Sequence, residues 1–201
     1  MSKNKKITFE NTELKFSLLT LVLTIFCSFL IVMATFTQLK IFTLINGHMQ
    51  NFYYIPQIPI IIFIAGLLGK RFSVVSVLIY IFTGLFLAPV FALGGGLDYV
   101  LNFNFGYILA YIPSVYITAK IIAKDNSILR LILASITGVL IIHFIGIMYM
   151  SGVLLIEHEQ TATIFNWITN QTSHTILPDL LFGLAGIIMG NLIKEILKKF
   201  A

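Results

Sequence analysis

The run from Phe16 to Thr37 is apolar and unbroken, long enough to cross a bilayer at about 20 residues per span. Five more apolar runs follow, near Tyr53 to Gly69, Phe72 to Ala88, Phe105 to Ala123, Ile128 to Tyr149 and Thr175 to Ile196. Inside lipid every backbone N–H and C=O must be satisfied within the chain, which leaves helices or a closed barrel. These runs lack the period-2 alternation of barrel strands, so helices are expected. Composition agrees: 58% of residues are hydrophobic and only 10% charged, where a soluble domain carries about a quarter charged. The expectation is an all-α integral membrane protein of six transmembrane helices. Residues 1–15 form a polar N-terminal segment, and residues 16–201 form one domain with no extramembrane unit able to fold alone.

The first run resembles a signal peptide, but its apolar core is too long and no small-residue cleavage site follows. It reads as a retained helix. Pro56 and Pro59 sit near the start of the second run, so regular helix is expected close to Pro59. Lys70-Arg71 is a tight basic turn joining two segments that are each short for a full span. Residues 38–52 read as a polar loop with an Asn46-Gly47 turn signal. Residues 151–174 read as a longer polar loop carrying Glu157, His158, Glu159, Trp167 and His174.

With six crossings, 12 of the 13 basic residues fall on the side of the termini, and only Lys40 falls on the other. That asymmetry places both termini in the cytoplasm. The net charge of +5 therefore reports orientation; no soluble basic domain exists to bind nucleic acid. The lone Cys27 lies in the first run, so no intramolecular disulfide and no zinc pattern is available.

The stretch Phe91–Tyr107 departs from this apolar pattern. It follows Pro89, holds Gly94, Gly95 and Gly96 in succession, and then sets Asp98, Asn102 and Asn104 among aromatic rings. Glycines let backbone N–H groups approach a ligand. The polar side chains suit the polar parts of a small molecule, and Phe91, Tyr99, Phe103, Phe105 and Tyr107 its apolar parts. A flexible turn between two helices is the plainer alternative. On the charge-derived topology this loop faces outward.

Ionisable groups inside membrane helices are costly and mark functional candidates. Asp179, directly after Pro178, is either a carboxylate favoured by the helix N-terminus or an acceptor for solute N–H donors. His143 lies about 20 Å along its helix from Arg130 at 1.5 Å per residue, in the outer half of the bilayer. It either bonds a neighbouring helix or meets a ligand. Tyr107 and Tyr111, four apart, share one helical face; they are membrane-belt residues or cavity walls. No metalloprotease, nucleophile-elbow or phosphate-loop motif occurs. Glu157-His158-Glu159 stands alone, so neither a metal nor a cofactor is expected. A small intramembrane enzyme acting on lipid through His143 with Asp179 or Glu157 is the alternative from a different class.

Ala65-Gly-Leu-Leu-Gly-Lys-Arg71, Gly84-Leu-Phe-Leu-Ala-Pro-Val-Phe-Ala92, Gly94-Gly-Gly-Leu-Asp-Tyr99 and Phe105-Gly-Tyr-Ile-Leu-Ala110 together resemble the BioY family. BioY proteins are the substrate-capturing S components of energy-coupling-factor vitamin transporters. The similarity is densest over residues 55–120 and weaker through His143–Tyr149 and Pro178–Leu181. The resemblance implies six helices with cytoplasmic termini and a bacterial plasma-membrane location. It also implies capture of biotin, or a related vitamin, from outside. The membrane coupling subunit and two ATPase subunits of the transporter would be its partners. It offers Asp98, Asn102 and Asp179 to the ureido group, and Tyr99, Phe105, Tyr107 and Tyr111 for packing. Two positions depart from the family pattern. Asn102–Gly106 replaces a frequent Gly-Pro-Thr-Gly-Gly turn, and Phe182 stands where a lysine often pairs with the solute carboxylate. A carboxylate here needs Lys40, backbone N–H groups or water. S components often dock through a small-xxx-small face of their first helix; Thr20, Thr24 and Ser28 are a softer version, equally suited to lining the bundle.

Overall fold

A computed structural model describes residues 17–45, 48–157 and 160–200. Six α-helices and one β-hairpin follow in the order α1 (Leu18–Phe36), β1 (Leu39–Ile45), β2 (His48–Tyr54), α2 (Gln57–Phe82), α3 (Phe105–Ile122), α4 (Ile128–Ile156), α5 (Thr161–Ile168) and α6 (Ile176–Phe200). Five of them, α1 to α4 and α6, are long and apolar enough to cross a membrane.

Helix α2 is two helices folded back on each other at Gly69, whose φ of 73° and ψ of −176° break the helical run. The side-chain amide Nε2 of Gln57 lies 2.8 Å from the Tyr80 hydroxyl. A straight helix would hold these residues about 35 Å apart at 1.5 Å per residue. The two short runs expected on either side of Lys70-Arg71 are therefore the arms of this hairpin, which starts at Gln57, slightly before Pro59. A side chain at Gly69 would enter a region that only glycine tolerates. Gly69→Ala is expected to lower stability by about 1–3 kcal/mol, read by thermal unfolding in detergent.

The first arm runs through the centre of the bundle: every residue from Ile61 to Gly69 is buried, as befits a helix apolar all round. Helix α6 packs against it backbone to backbone. A Cβ on Gly66 would come 2.9 Å from the Ile187 carbonyl oxygen, and one on Gly186 2.9 Å from that of Pro59. Small residues allow such approaches in lipid, where hydrophobicity alone does not join helices. Helices α3 and α4 meet similarly at Gly138, whose carbonyl accepts from Ser114 Oγ at 2.9 Å. Thr20, Thr24 and Ser28 of α1 are buried, so this face lines the chain's own bundle.

Two expected loops are corrected. Residues 38–52 form most of an antiparallel hairpin, in register from Leu39↔Tyr54 to Ile45↔His48, so the fold is not purely α-helical. Asn46 and Gly47 lie outside the described residues. The 151–174 loop contains the end of α4, all of α5 and a wide turn over Thr169–Ser173. The hydrophobic runs stop before these elements, but helical backbone continues past them. His158 and Glu159 lie outside the described residues, as does the N-terminal segment carrying Lys3, Lys5, Lys6 and Lys15.

The bundle has two distinct ends. At one, Asp125 accepts from the Ser127 N–H at 2.9 Å and from Arg130, and Asn126 donates to Glu195 at 3.2 Å. These hydrogen bonds, Ser127 first and then Arg130, hold the Asp125 carboxyl down to about 2. Lys124, Arg130 and Lys198 therefore gather with the end of α6. The end of α1, the β-hairpin and the starts of α2, α3 and α6 occupy the opposite end.

Candidate functional site

Three elements converge on one carboxylate at that opposite end. β2 terminates at Tyr54, which turns inward and is buried; its hydroxyl donates to Asp179 Oδ1 at 2.6 Å. Asp179, in the first turn of α6, is only 1% exposed. Its Oδ2 lies 3.1 Å from Nε2 of His143 on α4. A buried carboxylate without donors would be strongly unfavourable; here both oxygens are engaged. Burial, and then the adjacent Asp179, push the Tyr54 phenol above its ordinary value, so it remains a donor at neutral pH. Nε2 faces the carboxylate as donor, and Nδ1 of His143, an acceptor in the neutral imidazole, has no partner among the described residues.

A second polar group centres on Gln57. Its Oε1 accepts from Tyr111 at 2.8 Å, while Nε2 donates to Tyr80 at 2.8 Å and to Thr35 Oγ1 at 2.7 Å. Both amide donors are used, which fixes the orientation of the amide. The network ties α1, both arms of α2 and α3 together beside the carboxylate.

Between the two groups lies a cavity of about 510 Å³, within the usual range of about 300–1,000 Å³ for small-molecule sites. Its inner side is formed by the buried Tyr54, Tyr80, Tyr111, His143 and Asp179 and the half-buried Gln57. Its outer side carries the exposed Tyr53, Trp167 and His174 and the half-buried Phe52 and Phe103. Trp167 packs on Phe103 with ring centroids 4.8 Å apart, so α5 closes over the start of α3.

Of the residues singled out in the sequence, Tyr99, Tyr107, Tyr111, His143 and Asp179 line this cavity. Tyr107 meets His143 edge to face at 6.2 Å and shares a hydrogen bond with Thr172 at 3.0 Å. Phe103, Asn104, Trp167 and His174 line it as well, whereas the glycines, Asp98, Asn102 and Phe105 lie elsewhere. Gly94, Gly95 and Gly96 form a clasp: the Gly96 N–H donates to the Gly84 carbonyl at 2.9 Å, and Gly94 and Phe91 bond reciprocally. Positive φ at Gly94 (123°) and Gly96 (92°) makes this return possible, and it seals Phe91 into the core beside Tyr80 and Tyr99. Asp98 is exposed on the adjoining turn. Asn102 spends its Oδ1 on the Asn104 N–H at 2.9 Å, a local turn. Phe105 is buried between Phe91, Tyr99 and Tyr149. These six do not line the cavity; they hold the wall that does. Glu157 is exposed at the end of α4, away from the carboxylate.

Sequence reasoning passed over Tyr54, Gln57 and Tyr80. The signal for Tyr54 was present: two runs rich in β-branched and aromatic residues flank Asn46-Gly47, a hairpin signature. Gln57 and Tyr80 carried none, because only the fold at Gly69 brings them together.

Comparison with known proteins adds identity to this geometry. One curated relative, described as "Probable biotin transporter BioY" from Lysinibacillus sphaericus, is 35% identical over 104 residues, 48% of this chain and 53% of the relative. The chain thus spans about half the length of the curated relative it matches. A crystal structure described as the S-component for biotin from an ECF-type ABC transporter has a TM-score of 0.67 and 19% identity. It covers 97% of this chain and 95% of its own, a likeness of fold. The family model described as "BioY family" matches residues 5–199, and the chain belongs to that family.

Proposed function

We propose that this protein is the membrane-embedded capture subunit for biotin in an energy-coupling-factor transporter. It takes the vitamin from outside the bacterial plasma membrane. The two arms of α2 each cross the bilayer, giving six crossings with α1, α3, α4 and α6. Both termini are cytoplasmic, since the described basic residues other than Lys40 gather at one end and the cavity opens at the other. The chain carries no ATP-binding motif; energy comes from ATPase subunits joined through a membrane coupling subunit.

The observation that carries this reading is the buried Asp179, held by Tyr54 and His143 on the inner wall of an aromatic cavity. A ureido ring presents two N–H donors and a carbonyl. Asp179 retains acceptor capacity beyond its two protein donors, and His143 Nδ1 is a second acceptor. Tyr99, Tyr107 and Tyr111 supply apolar faces for the fused rings. What the protein does chemically is bind and release, with no bond made or broken.

A panel of vitamins against detergent-purified protein tests this. At 100 times its dissociation constant, a ligand adds about 2.7 kcal/mol of stability. Biotin is expected to raise the unfolding temperature by several degrees, while unrelated vitamins leave it unchanged. A flat response to biotin would overturn the reading.

A further inference from the structure

Helix α4 is longer than a bilayer requires. Its 29 residues extend about 43 Å at 1.5 Å per residue, against a hydrocarbon core of about 30 Å. Its last turns therefore reach the headgroup layer. Leu133, Leu140, Phe144 and Met148, facing away from the bundle, form an exposed apolar stripe along it. The stripe continues to the end of the helix, where Leu155 and Ile156 are 63% and 79% exposed. The first carboxylate after them is Glu157, itself exposed.

Helix α5 folds back on this end. Its Ile164 and Ile168 rest on Met150 and Leu154 of α4, and its Trp167 packs on Phe103. Phe165 stands two residues before Trp167, about 200° around the helix at 3.6 residues per turn. It lies away from the Phe103 contact and is 67% exposed. Residues 160–173 carry no charged side chain; hydroxyls, carboxamides and aromatic rings dominate the segment. A neutral helix with one apolar edge and an indole suits the membrane interface, where its polar groups meet water and headgroups and its rings meet acyl chains. The apolar edge is continuous with the membrane face of α4, so one solvent covers both.

We propose that α5 is seated in the headgroup layer at the cavity end of the membrane, with Phe165, Leu155 and Ile156 anchored among the acyl chains. The occupant of this surface is lipid. Trp167 belongs to the outer side of the cavity, so the seat sets the position of the cavity's cover, and lifting α5 draws Phe165 out of lipid. The seat does not depend on which solute the cavity takes.

The chain has a single tryptophan, and Trp167 lies on α5 itself, so its fluorescence reports this helix alone. The full chain is reconstituted into phosphatidylcholine vesicles whose acyl chains carry bromine either near the carbonyl or near the methyl end. Bromine quenches an indole only at close range. An interfacial helix lies about 5–10 Å into the boundary, so the shallow bromine is expected to reduce emission about twofold and the deep one much less. Equal emission in brominated and plain vesicles overturns the proposal and leaves the exposed side of α5 to a protein partner. Stronger quenching by the deep bromine also overturns it, because α5 would then lie inside the hydrocarbon core. Phe165→Ser removes the anchor at an exposed position and leaves the Ile164 and Ile168 contacts in place. With the parent's unfolding curve retained, shallow quenching is expected to fall by about half, and aqueous iodide to quench more. Unchanged quenching in that variant overturns Phe165 as the anchor.

Discussion

Asp179→Asn is expected to weaken biotin binding by roughly 30- to 150-fold, the equivalent of about 2–3 kcal/mol for hydrogen bonds to a buried charge. The substitution keeps the shape of the side chain, so the cavity survives. One oxygen still accepts from Tyr54, whose hydroxyl lies 2.6 Å away. The new NH₂ group faces His143, which can accept through Nε2 by moving its proton to Nδ1. That shift removes the second acceptor as well, so the ligand's N–H groups lose the charged acceptor and the imidazole together and keep only the spare lone pair of a neutral amide oxygen. The loss falls on ligands with such donors, and calorimetric titration measures it. A companion unfolding curve within about 1 kcal/mol of the parent would show that the fold is not the cause. Undiminished affinity would remove the carboxylate from the site.

The largest stability effect is expected at Gly190. Its Cα faces the backbone of Phe63 and Leu67, and any Cβ would press on the Phe63 carbonyl oxygen. Backbone cannot swing aside as a side chain can, so α6 would have to move off the first arm of α2. Gly190→Val is expected to cost about 3 kcal/mol or more, at the upper end of overpacking. Displacing α6 also moves Asp179 relative to Tyr54, so ligand stabilisation should fall with it. Gly152→Ala is the internal control. It lies within α4 with nothing inside 4 Å of its added Cβ, and the helix-propensity gain of about 1 kcal/mol is expected to leave stability equal or slightly higher. Thermal unfolding of both variants in one detergent decides the matter. Equal tolerance of the two would show that α2 and α6 do not rely on close backbone contact.

The sequence was most legible where one physical requirement dominates. Lipid forces backbone hydrogen bonds to close within a segment, so apolar length located α1, α3, α4 and α6 and both arms of α2. The arms were readable as separate segments because Lys70-Arg71 interrupts the apolar pattern, although the residue that turns the chain is Gly69. Legibility failed where the helical signal is polar. Residues 160–173 are too polar to read as a membrane helix, yet Thr161–Ile168 forms α5 because its apolar face rests on Met150 and Leu154. The hairpin at Leu39–Tyr54 was masked in the same way, its strand propensity read as loop polarity.

The glycine run shows the limit of motif chemistry. Three glycines beside a carboxylate and two carboxamides have the composition of a ligand cradle, but the contacts are internal. The positive φ angles return the chain to Gly84, Asn102 closes the next turn, and Asp98 is exposed. Composition cannot tell a loop that holds a ligand from a loop that holds Phe91.

By itself the sequence determined the solvent, the helical segments, the charge asymmetry of the two ends and two of the site's ionisable groups, Asp179 and His143. Each of these follows from local length, local polarity or a single residue's cost in lipid. Only the tertiary structure decided that Tyr54 reaches Asp179 across 125 positions, and that Gln57 joins Thr35, Tyr80 and Tyr111. Those contacts depend on how the α2 hairpin, α6 and the β-strands stack. Stacking is set by backbone approach at glycines and by the summed fit of many weak contacts, which no single stretch of sequence contains.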